Sequence, residues 1–317
     1  MQRLRKRLKK HHPEPHPPQE VTLVTDLSHP QLHTGVDSSP PETLPAPHFP
    51  DGVKVLHDCP DATVDICFVH GLTGDRENTW TANGQSAPWP ETLLPPRLKK
   101  ARILTYGYDA YIVRASVASA NRLNDHAKNF LVKLTANRAL NNASHRALIF
   151  VAHSLGGLVC KEAILLSRNS PELHLRQIFS YILGVVFMGT PHKGAWMAKW
   201  ASIPVSALGL VKSVNKPLLE ILDTKNQYLE SIHSRFVEML RQRQIDGNPL
   251  GIACFLEELP LPVAGLVVSK ESAILDGFTS ATIHADHRNM VRFATAEEDG
   301  FQLLLAELIR WVSQASK

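Results

Sequence analysis

Two periods of hydrophobic and polar residues alternate along most of the chain. Short apolar runs without polar alternation, the pattern of strands buried on both faces of a sheet, fall at residues 53–56, 65–69, 102–106, 147–151, 184–188, 251–256, 266–269 and 282–284. Longer stretches with a helical period lie between several of them, notably at 123–140, 218–243 and, last, 299–313. Strands alternating with helices predict an α/β fold with a mostly parallel, doubly wound sheet, whose ligand site lies at the carboxyl ends of the strands. No internal repeat is visible.

The first 49 residues break this rhythm. They are rich in proline, histidine and basic residues and have few large apolar groups, so they are expected to form a disordered tail ahead of one domain at 50–317. Six basic residues stand among the first ten, which makes this end a candidate for contact with anionic lipid or part of a targeting segment. The net charge of +4 is otherwise modest, and gives no case for nucleic acid as a partner. No run of about 18 apolar residues is present to span a bilayer. Four scattered cysteines lack any paired metal-ligand spacing, so a reducing compartment is expected and neither metal nor cofactor is called for.

Candidate chemistry gathers where strands end. The run 147–157, ALIFVAHSLGG, passes from a buried strand into Ala152-His153-Ser154-Leu155-Gly156, the pattern of a nucleophile elbow with alanine at the position usually held by glycine. Such a serine needs a base, an acid that orients the base, and donors for an oxyanion. In this fold the acid and then the histidine follow the serine in sequence. His287, in a loop after the last strand, is therefore the expected base, ahead of His284, which falls inside the strand pattern. Glu257, immediately after the strand at 251–256, is the first choice of acid, with Glu258, Glu271 and Asp276 as alternatives. The backbone N–H groups of Leu72 and Leu155 are the expected oxyanion donors. His70, Gly71 and His153 would line the site, with His70 shaping the loop rather than acting as catalyst. The turn residues of 189–194 would shape its wall, His192 among them preceding the acid and so out of order for a base, and Asp75, Trp80 and Asp109 would lie near its mouth.

The stretch 195–216 carries Trp196, Trp200 and several aliphatic residues, more apolar surface than a connector needs. It reads either as part of a cap over the serine, at about 195–245 and with Trp196 and Trp200 against substrate, or as an apolar helical hairpin packed on the core.

With FVHGLTGDRENTW, TYGYDAY, FVAHSLGGLVCKEAI, VVFMGTPHKGA and HADHRNMVRF in this order, the chain resembles the lipase-like serine esterase domains of the serine active site-containing protein family, among them fungal domains fused to NACHT or repeat arrays. The resemblance covers residues 53–311. It implies an α/β-hydrolase fold, a nucleophile at Ser154, a base at His287, a small-molecule or lipid carboxylic ester as substrate, and an intracellular rather than secreted place, either cytoplasmic or peripheral at mitochondrial or endoplasmic reticulum membranes. The same resemblance leaves open a domain that recognises a ligand or partner without turning it over.

Overall fold

In the computed structural model every residue of the strand β2 (Val64–Val69) is buried, as a run without polar alternation requires. The described residues are 51–71, 74–108, 120–193, 222–262 and 264–315. The predicted tail, the stretch 195–216 with Trp196 and Trp200, and Leu72 and Asp109 lie outside them.

Six further strands join β2: β1 (Gly52–His57), β3 (Ala101–Gly107), β4 (Ala147–His153), β5 (Ile182–Met188), β6 (Gly251–Glu257) and β7 (Thr279–Ile283). Their order in the sheet is β1-β3-β2-β4-β5-β6-β7. Only the β1–β3 pairing is antiparallel, and all the others are parallel. This is the α/β-hydrolase arrangement, with the chain reversing its direction of travel across the sheet around β2 and β4.

Alternate residues of the central strands feed two cores. Val69, Phe150, Phe187 and Cys254 face one side, with Leu134 of α2 (Ala120–Leu140), Val159 and Ile164 of α3 (Leu155–Asn169) and Ile178 of α4 (Leu173–Tyr181). Ile232 and Phe236 of α5 (Leu222–Ile245) join that same layer, although this helix falls within the expected cap region. Phe68, Val151, Val186 and Phe255 face the other side, against Trp89 and the helix α6 (Asp299–Ala315).

Two glycines set how close α6 comes. Gly184 and Gly251 pair across β5 and β6, and a Cβ on them would stand 2.4 and 2.5 Å from atoms of the Trp311 indole. Their missing side chains leave the slot into which that ring packs.

Three expectations need correction. Residues 266–269 form no strand: Val267 and Val268 are buried, but in a small satellite core with Leu256, Leu261 and Ala273. The last strand is Thr279–Ile283 rather than 282–284, which leaves His284 beyond its end. Trp80 is a core residue and not a mouth residue, fully buried and packed edge-on against Phe68. No described helix is long and apolar enough to cross a membrane.

Candidate active site

The carboxyl ends of β4, β5, β6 and β7 meet around Ser154. This residue follows β4 directly and holds φ 54° and ψ −124°, a conformation that costs a non-glycine residue on the order of 1–3 kcal/mol. The surroundings enforce it. The Ser154 N–H donates to the carbonyl of Met188, the last residue of β5, at 2.9 Å. Close backbone contacts exclude larger neighbours: a Cβ on Gly156 would stand 2.4 Å from the His70 carbonyl oxygen, and one on Gly157 2.2 Å from Thr190 Oγ1. Ala152 is the larger residue of the motif, and it fits, buried in register between Val69 and Phe187.

Gly71 brings the end of β2 against the serine. A Cβ there would lie 2.7 Å from Ser154 Cβ. The turn is braced by His70, whose Nδ1–H donates to the Gly71 carbonyl at 2.8 Å while Nε2 accepts the Tyr108 N–H at 3.3 Å. Tyr108 stacks on the imidazole at 4.5 Å and its hydroxyl donates to the His70 carbonyl. Burial lowers the His70 pKa to about 4, so the ring is neutral and keeps this tautomer. It shapes the turn.

His287 lies in a turn after β7, with no helix directly following it. Its Nδ1 is 2.5 Å from Glu257 Oε2, and both side chains are almost fully buried. A carboxylate only accepts, so Nδ1 carries the proton and Nε2, on the opposite edge of the ring, is the basic nitrogen. The other Glu257 oxygen accepts the Val268 N–H at 3.0 Å, which fixes the carboxylate on two sides. His153 holds the same turn by donating from Nε2 to the His287 carbonyl at 2.9 Å, its ring 4.8 Å from the His287 ring. Burial first, and the neighbouring His287 second, depress the His153 pKa well below the ordinary range and keep that ring neutral.

The Met188–Gly189 peptide joins the two halves of the site. Met188 receives the Ser154 N–H, while the His287 ring packs so tightly on Gly189 that a Cβ there would be 2.9 Å from both Nδ1 and Cε1. Gly189 has φ 56°, the second reason it is glycine. Ser154 Oγ is buried and makes no hydrogen bond to the described residues. Leu155 opens α3, so its N–H belongs to the first turn, whose donors have no acceptor within the helix.

The other candidate acids are engaged elsewhere. Glu258 is paired with the exposed His284 at 3.3 Å, Asp276 with Lys193 at 2.5 Å, and Glu271 is exposed in a short helix. Asp75 serves a turn, its carboxylate accepting the N–H groups of Glu77 and Asn78. His192 is buried beside Cys254. The expected oxyanion donor Leu72 is outside the described residues, as are Trp196, Trp200 and Asp109.

No protein-family model matches this chain. It is 25% identical to Protein SERAC1 of Mus musculus over 285 residues, which cover 81% of this chain and 41% of that protein. Against Protein SERAC1 of Homo sapiens it is 23% identical over 271 residues, covering 77% and 39%. The chain thus spans about two fifths of the length of these relatives. Among solved structures, Bacillus licheniformis lipase BlEst2 in mature form aligns with a TM-score of 0.47 and 17% identity, over 80% of this chain and 97% of that one. The RedJ thioesterase of Streptomyces coelicolor aligns with a TM-score of 0.43 and 13% identity, over 84% and 91%.

Tyr108 is not singled out by the sequence, although it sits in a motif that is. A tyrosine two residues past the predicted end of a buried strand is the available signal.

Proposed function

We propose that this chain is a serine hydrolase acting on carboxylic esters, with acyl esters of lipids first among its substrates. The observation that carries this reading is the buried Glu257–His287 hydrogen bond beside a serine held at a strained φ. Ser154 Oγ attacks the ester carbonyl while His287 Nε2 takes the hydroxyl proton, and Glu257 stabilises the imidazolium that forms. The carbonyl electron pair moves onto oxygen, where the Leu155 N–H and the positive end of α3 receive it, with the Leu72 N–H as the expected second donor. Loss of one such donor costs hydrolases about 3 kcal/mol of transition-state stabilisation. Collapse of the tetrahedral species expels the alcohol, which takes the proton from His287. Water then repeats the sequence on the acyl-enzyme and restores Ser154.

Ser154 Oγ makes no hydrogen bond to the described residues, and in such sites the serine–histidine bond is often long until the Michaelis complex forms. The preference for lipid esters, and a place at a mitochondrial or endoplasmic reticulum membrane, rest on the motif resemblance.

The test is hydrolysis of p-nitrophenyl esters of graded chain length and of phospholipids, with Ser154→Ala alongside. The variant is expected to lose at least about 10³-fold in kcat. Equal rates for the two proteins would refute the assignment. A fluorophosphonate probe should label Ser154 only when His287 is intact. A folded protein that takes no label would instead favour a domain that binds without turnover.

A further inference from the structure

On the face of the sheet covered by α3 and α5, a second group of side chains carries buried nitrogen atoms without hydrogen-bond partners among the described residues. Lys161 of α3 is completely buried, and its Nζ makes no hydrogen bond to the described residues. It stands over two aromatic rings instead, 5.5 Å from the centre of Phe187 and 5.2 Å from that of Phe236. His192 packs edge-on against the same Phe187 at 4.8 Å. Its Nε2 is 3.6 Å from Cys254 Sγ, and a thiol donating there leaves the proton of the ring on Nδ1, which is buried and has no partner among the described residues. His233 stands one turn before Phe236 on α5, and its Nδ1 is also buried without a partner among the described residues.

No carboxylate pairs with Lys161 among the described residues. Its neighbour Glu162 is turned to Arg235 at 3.0 Å and to the Tyr228 hydroxyl, while Lys193 is tied to Asp276. Each buried donor left without an acceptor costs about 1–3 kcal/mol, and a buried ammonium more. Burial accordingly lowers the Lys161 pKa to about 7 and that of His233 to about 4, with His192 well below its ordinary range. Lys161 and His192 thus meet at Phe187, His233 lies close enough to both to act on them electrostatically, and among the described residues none of the three buried nitrogens has a hydrogen-bond partner.

We propose that Lys161, His192 and His233 form a binding site for an oxyanion, a carboxylate or a phosphate, held by Lys161 Nζ and the imidazole N–H groups. A groove between α3 and α5 is lined by Leu165, Arg168, His233, Val237, Glu238 and Arg241, so His233 belongs both to its wall and to the buried cluster. Leu165 lies one helical turn beyond Lys161 on α3. Lys161 follows Ser154 by seven residues, a rise of about 10 Å along α3. The anion is therefore either a free ion or the acidic far end of an ester bound at Ser154. Only the second source rests on the hydrolase reading.

Thermal unfolding separates these outcomes without needing activity. Wild-type protein is titrated at pH 7 with phosphate or acetate against chloride at equal ionic strength. A saturable rise in Tm beyond chloride is expected, because a ligand that binds only the folded state stabilises it by mass action. Lys161→Met should abolish the rise. His233→Gln, at a half-exposed position, should weaken the apparent affinity by about three- to tenfold, the worth of one hydrogen bond, and it serves as the reading if Lys161→Met does not fold.

Initial rates on p-nitrophenyl esters of equal length, ending in a methyl or a carboxylate, then identify the source. An acidic group on the substrate gives a lower KM for the carboxylate ester, lost in the Lys161 or His233 variant, and competitive inhibition by phosphate. A free anion leaves the two esters alike while the Tm rise remains. The proposal is overturned if wild-type shows neither a Tm rise beyond chloride nor a carboxylate preference, or if whichever effect it shows persists unchanged in the variants.

Discussion

Two buried carboxylates, at opposite ends of the same sheet, are used in opposite ways. Asp65, near the amino end of β2, is completely buried and meets three guanidinium groups. Arg102 of β3 binds it through Nε at 3.0 Å and Nη2 at 3.2 Å, Arg138 of α2 at 2.6 Å, and Arg146, just ahead of β4, at 2.9 Å. The cluster ties two strands, a helix and a loop together, and every oxygen is occupied by a group that only donates. Glu257, at the carboxyl end of β6, is buried as deeply but has one backbone donor and one imidazole. The imidazole has a second nitrogen able to take a proton. Burial and pairing are common to both, so they do not mark the candidate site. A partner that is itself a base, beside a serine held at positive φ, does.

The sharpest way to break this comparison is to neutralise each carboxylate in turn. Glu257→Gln would place an amide against His287 Nδ1 and stabilise neither the required tautomer nor the imidazolium. On the proposed reading kcat falls about 10⁴-fold, while thermal unfolding changes little. A fall below about tenfold would move the orienting acid to Glu258, Glu271 or Asp276.

Asp65→Asn should do the reverse. It leaves Arg102 and Arg138 buried without their counter-charge, and breaking one side of such a buried pair costs about 3–5 kcal/mol. Urea unfolding should show that loss, with kcat of the folded fraction unchanged. A large loss of kcat at native stability would mean that the two ends of the sheet are coupled.

The same contrast explains what the sequence could reveal. The central strands were legible because they are buried on both faces and therefore read as unbroken apolar runs. Edge strand β7 is mostly exposed and carries no such run, so its limits were misplaced and His284 was drawn into it. Val267 and Val268 imitate a strand because they are buried, yet their segment has no neighbour to pair with, and the Val268 N–H goes to Glu257 instead. The elbow was readable because its local strain demands small residues at fixed spacing. The acid was not, because Glu257 and His287 are 30 positions apart in sequence. Which of four carboxylates meets the ring depends on how β6 and β7 end side by side, and no local pattern encodes that. Tyr108 and the buried nitrogen cluster around Lys161 arise from tertiary packing in the same way.

The smallest expected effect is a difference in acid response. The carboxyl end of the sheet holds three buried neutral histidines, His70, His153 and His192, whose pKa values burial depresses, that of His70 from 6.5 to about 4. The unfolded chain protonates such groups near 6.5 and the folded chain only at lower pH, so the unfolded state binds more protons in between. Their contribution is complete above about pH 6.5 and declines as the pH falls through that window, by at most about 1.4 kcal/mol per unit for each histidine. Urea unfolding between pH 7 and pH 5 should show the decline. His70→Gln, which cannot titrate, should reduce its slope by up to one histidine's share even though the lost Gly71 and Tyr108 hydrogen bonds lower stability at pH 7. A slope left unchanged by that substitution would mean that His70 is not among the groups whose protonation opens the fold.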